Sequence, residues 1–126
     1  MRTRVVAAAA VFISAVVHIS LWFAGYNDVA VIGPAFLLNA VSGVVIAILL
    51  LRLRNWIPLL LAVGFGVATL GAFILSVTVG LFGLQEDGGG VSQWIAAVSE
   101  VVAIVAGVAG ARSEGYLPWG RPQAAQ

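Results

Sequence analysis

His18, the one histidine in this chain, and Glu100, an acid set inside a long apolar run, are the residues best suited to chemistry. An imidazole can carry or pass a proton near neutral pH. A carboxyl surrounded by hydrocarbon must be neutral, paired or beside water. Both groups sit at the same depth. At 1.5 Å per helical residue, His18 lies about 10 Å and Glu100 about 12 Å below one membrane face. The same arithmetic brings Asn39, Ser42 and Ser76 within a few ångströms of that level, so all four apolar runs feed one polar layer. His18 and Glu100 are expected to approach each other, directly or through a water or an amide such as that of Asn39. Ser14 falls one turn from His18 on the same face, and Ser42 one turn from Asn39.

Three uses of this layer compete. Structural hydrogen bonding, worth roughly 0.6–2 kcal/mol per bond, suffices for Asn39, Ser42, Thr69 and Ser76. Proton handling or ligand binding at His18 and Glu100 is the functional reading, because ionisable intramembrane groups are functional candidates by default. A metal or haem site is the weakest. One histidine and one carboxylate do not complete a metal shell, and axial haem ligation needs two chains that each supply His18. No cofactor and no metal is expected.

Catalytic signatures are missing. The chain has no cysteine, which removes thiolate chemistry, and no GxSxG, HExxH, P-loop or dinucleotide fingerprint. The glycine run at 88–90, after Gln85-Glu86-Asp87, reads as a flexible turn. No catalytic residue is expected.

Composition says what holds this layer in place. Of 126 residues, 62% are hydrophobic and 9% charged, far too few polar groups to coat a water-soluble globule. A net charge of +1 gives no reason to expect nucleic acid. Four apolar runs are long enough to cross a bilayer, at about 5–25, 34–53, 57–82 and 92–111. They are continuously apolar rather than alternating, which favours helices over barrel strands. Pro34 and Pro58 suit first helical turns, and Ser92 suits an N-cap. The expectation is an all-α, integral membrane four-transmembrane-helix bundle spanning residues 1–112, with a polar tail at 113–126. A cleavable leader is the rival for the first run, but that run is too long for one.

All six basic residues are arginines, and all fall on one side: Arg2 and Arg4, Arg52 and Arg54, Arg112 and Arg121. The opposite loops hold only Asp28, Glu86 and Asp87. The positive-inside rule therefore puts the N-terminus and the C-terminus in the cytoplasm. Trp22, Tyr26 and Trp94 on one side, and Trp56 and Trp119 on the other, read as interfacial anchors. The arginine-only, alanine- and glycine-rich composition points to a bacterial cytoplasmic membrane.

Two stripes of small residues could let helices approach closely: Gly64, Ala68, Ala72, Ser76 and Gly80 in the third run, and Ser99, Ala103, Gly107 and Ala111 in the fourth. They serve either the bundle or a partner. Expected partners are the lipid bilayer and either a second copy or other membrane subunits. The first functional expectation is a non-catalytic accessory or assembly subunit of a larger membrane complex. The alternative is a small proton-coupled transporter or lipophilic-ligand-binding protein built on Glu100 and His18. An outward-opening cleft beside Glu100 separates the second from the first.

Overall fold

The computed structural model describes residues 2–80 and 90–117. It is all-helical, with four helices: α1 (Arg2–Phe23), α2 (Ile32–Arg52), α3 (Ile57–Thr78) and α4 (Val91–Ser113). A short 3-10 turn, Tyr26–Asp28, joins α1 to α2. Each of the four is long and apolar enough to cross a membrane.

Local chemistry shifts the expected ends. The third run was expected to reach residue 82, yet α3 stops at Thr78. Gly80 adopts a positive φ of 91° and donates its N–H back to the Leu75 carbonyl at 2.7 Å, a glycine stop that satisfies an orphan acceptor. Ser92 is not the cap of α4. That position falls to Gly90, whose N–H is accepted by Gln93 Oε1 at 3.4 Å, which leaves Ser92 inside the first turn. Pro34 keeps its first-turn place although α2 starts two residues earlier, at Ile32. The charged head of α1 is helical from Arg2, three residues before the expected start.

α1 is the hub. It packs along α2 on one side and α4 on the other, α3 leans on α4, and α2 and α3 touch much less. Small residues set these approaches by letting the helix backbones come close. A Cβ on Gly43 would lie 2.8 Å from both the Ala15 Cβ and the Val11 carbonyl oxygen. On Gly66 it would lie 2.6 Å from Ile104 Cγ1 and 2.7 Å from the Glu100 carbonyl oxygen.

The α3 seam therefore runs through Gly66 and not through Gly64, where an added Cβ would meet nothing within 4 Å. Ala68, Ala72 and Ser76 of the expected stripe line a cavity instead. Gly80 lies past the end of α3. On α4, Ser99, Ala103 and Gly107 are buried and Ala111 is partly so. Gly107 is the tight point, 2.7 Å from Val63 Cγ2 for an added Cβ. Gly66→Ala is expected to cost about 2 kcal/mol by forcing α3 off the α4 backbone. Gly64→Ala should be neutral or slightly stabilising. Thermal melts of the two variants in one detergent check the pair.

The start of α1, the end of α4 and the α2–α3 connection lie at one end of the bundle, and Arg4 binds them together. In the sequence Arg4 counts only as a positive charge ahead of the first run; in the structure its side chain is fully buried. Nε and Nη2 donate to the two carboxylate oxygens of Glu114 at 2.8 and 2.9 Å, a bidentate pair. Nη1 and Nη2 donate to the Leu53 and Asn55 carbonyls at 2.8 and 2.7 Å. Tyr116 adds a hydroxyl bond to the Arg54 carbonyl at 3.3 Å. Burial is possible because every strong acceptor nearby is aimed at the guanidinium. Of the tail expected at 113–126, Ser113 closes α4 and residues 118–126 lie outside the described residues.

Candidate functional site

At the other end of the bundle the four helices enclose a cavity of about 250 Å³. α1 contributes His18, α2 Phe36 and Asn39, α3 Thr69, Phe73 and Ser76, and α4 Glu100. Helical periodicity explains the selection. Phe36 and Asn39 are three residues apart on α2, Phe73 and Ser76 three apart on α3, and each pair shares a face.

Glu100 and His18 are joined through a hydroxyl. Ser14, wholly buried one turn from His18, donates to Glu100 Oε2 at 3.0 Å. The His18 Nδ1 lies 2.7 Å from the Ser14 carbonyl oxygen and 3.3 Å from its Oγ. A ring nitrogen so close to a carbonyl must carry the proton, so Nδ1 donates and, in the neutral ring, Nε2 is the remaining acceptor. The bridge is a serine where the sequence reading allowed for a water or Asn39.

Glu100 is 1% exposed; its second oxygen, Oε1, meets no donor at hydrogen-bond distance, and the Thr69 hydroxyl is a further side-chain group that lies beside the carboxyl. Asn39 is buried too, with both amide atoms unpartnered. Buried polar atoms left this way are rare, and each calls for a ligand, a water or an ion. Of the hydroxyls lining the space, those of Thr69 and Ser76 are committed to their own helix. Thr69 Oγ1 donates to the Phe65 carbonyl at 2.6 Å and Ser76 Oγ to the Phe73 carbonyl at 2.7 Å.

Aromatic rings form part of the remaining lining, beside Leu21, Ile32, Gln93 and alanines of α2, α3 and α4. Phe36 packs edge-to-face with His18, centroids 4.9 Å apart, and stacks on Tyr26 at 5.1 Å. Phe73 meets Trp94 edge-on at 5.6 Å.

The other candidates divide. Ser42 is half-buried and does not line the cavity. Of the expected anchors, Tyr26 faces the cavity, Trp22 packs edge-on against Phe23, and Trp56 and Trp94 are half exposed. Trp119 lies outside the described residues. No group of three or more His, Cys, Asp or Glu that could hold a metal occurs among the described residues.

Sequence reading missed two features. The aromatic lining was legible only as hydrophobic bulk, although Phe36 and Phe73 each precede a polar residue by one turn. The Arg4–Glu114 pair had a signal, since Glu114 is the lone acid on the side that holds every arginine.

Chemically, the chain His18–Ser14–Glu100 ties two ionisable groups to one serine: its carbonyl holds the Nδ1 proton and its hydroxyl donates to Oε2. It is not a hydrolytic triad, in which the imidazole lies between serine and acid and takes the serine proton. Here the serine is in the middle and its proton points at the acid. The chain matches no protein-family model, no curated protein and no solved structure.

Proposed function

We propose that this chain is a multi-pass protein of the bacterial cytoplasmic membrane, both termini cytoplasmic, that binds a small lipophilic solute in its central cavity and couples binding to protons on Glu100 and His18. The observation that carries the reading is the roughly 250 Å³ space holding two buried residues with unpartnered polar atoms, Glu100 and Asn39. A bundle that used its polar layer only as glue would pair those atoms across a filled seam. Small-molecule sites have this form, mostly apolar and aromatic with a few convergent polar groups.

Fluorine NMR of fluorobenzene added to the protein in lipid nanodiscs tests it. Saturable binding is expected in the wild type and is expected to vanish in Ala72→Phe, which fills the space. Identical partitioning into both samples would contradict the reading.

Gly64, exposed on α3 with open space beside it, favours a second reading, an accessory subunit docked through that face. It predicts co-purification of a larger complex in mild detergent, lost in Gly64→Leu.

A further inference from the structure

We infer that the solute is a small lipophilic amine, bound as its ammonium with the charge against Glu100 and its body against Phe36 and Phe73. The inference rests on the binding reading above and names the ligand class. The buried carboxyl asks for a donor. The hydroxyl protons of Ser14, Thr69 and Ser76 are committed to Glu100 Oε2 or to backbone carbonyls. What waits unpartnered is Glu100 Oε1, an acceptor, and the Asn39 amide, whose oxygen accepts and whose nitrogen donates.

The cavity also asks for positive charge. Among the described residues its one basic group is His18, whose Nδ1 proton is held by the Ser14 carbonyl. The buried guanidinium of Arg4 is ten residues along α1 from Ser14, about 15 Å, and is occupied by Glu114. A carboxylate with no cation beside it must be neutralised by a proton or by a ligand. An anionic ligand would place a second negative charge against a buried acid. A neutral hydrocarbon would leave Oε1 bare. An ammonium supplies both the missing donor and the missing charge.

The lining suits the remainder of such a molecule. Aromatic faces attract cations, and the attraction grows when water is excluded. The volume, about 250 Å³, falls just under the usual range for drug-sized ligands, so the body is of the order of one ring.

The test compares three ring-sized probes by fluorine NMR in zwitterionic nanodiscs: 4-fluorobenzylammonium, uncharged 4-fluorotoluene and 4-fluorobenzoate. The ammonium should bind saturably, at least tenfold more tightly than 4-fluorotoluene, and the benzoate should not bind. Glu100→Gln should bring the ammonium down to the 4-fluorotoluene level, while Ser42→Ala, outside the cavity, should keep the wild-type order. Equal affinity of ammonium and 4-fluorotoluene in the wild type would overturn the cation and leave the cavity reading standing, with no variant needed. A preference that survives in Glu100→Gln would likewise overturn the assignment to that acid. Absence of saturable binding by all three probes would overturn both readings.

Discussion

Glu114→Ala should destabilise the bundle by about 3 kcal/mol, through a single exchange in a segment that reads as tail. Breaking a buried ion pair by removing one partner costs roughly 3–5 kcal/mol, because the remaining charge stays buried without compensation. The lower figure applies because Glu114 is 24% exposed while Arg4 is 1%. Arg4→Lys should fail on a similar scale. An ammonium has three donors and no planar fork, so it cannot hold a bidentate carboxylate and two carbonyls together.

Acid should mimic the loss. The hydrogen bonds from Arg4 hold the Glu114 carboxyl below its ordinary value of 4.5, helped by the charges of Arg4, the N-terminus and Arg54. A carboxylate depressed in the folded state stabilises fully above its ordinary value. That contribution fades as pH falls below 4.5 toward the lowered folded value. Melting curves of wild type and Glu114→Ala should therefore differ most at neutral pH and converge below pH 4.5. A constant gap down to strong acid would show that the ion pair is not the source.

Glu100→Met should have the opposite sign. Replacing a buried charged group by an apolar one of similar volume is often stabilising by about 1–4 kcal/mol. Here one carboxylate oxygen has no partner to lose. Ser14, freed of Oε2, can turn its hydroxyl to a backbone carbonyl one turn back, as Ser20 does to Val16 at 2.8 Å. The variant should melt higher and bind no amine, the stability cost of a working site reversed. If Glu100 serves only to glue the helices, Glu100→Met will melt lower.

How much of this the sequence carried differs by residue. Four apolar runs, long relative to a bilayer, left little choice of fold, and each run became one helix long and apolar enough to cross a membrane. Levels within the bundle were also legible, because rise per residue converts position to depth. That is how His18 and Glu100, on different helices, can be set near one height, although the residue that bonds Glu100 at 3.0 Å is Ser14, one turn along α1.

Azimuth was harder. Gly64 and Gly66 are two residues apart and point about 200° apart on a helix, given 3.6 residues per turn. A stripe of small residues does not say which face meets α4 and which borders empty space. Boundaries turned on backbone chemistry that hydropathy does not register, such as the positive φ of Gly80. Arg4 misled for a different reason. A buried arginine and a solvated one look alike in sequence until their partners are located, and Glu114 is 110 residues away.

The proposed coupling of solute binding to protons requires that water reach Glu100 through the cavity from the side opposite the termini. The chain contains no cysteine, so single-cysteine variants report without background. Ala72→Cys, which lines the cavity, should react with a membrane-impermeant methanethiosulfonate reagent applied outside intact cells. Ile74→Cys, on the exposed apolar face, should stay unlabelled in lipid. Labelling at residue 72 and silence at residue 74 is the predicted result. Equal silence at both positions would mean a dry seam and contradict the account.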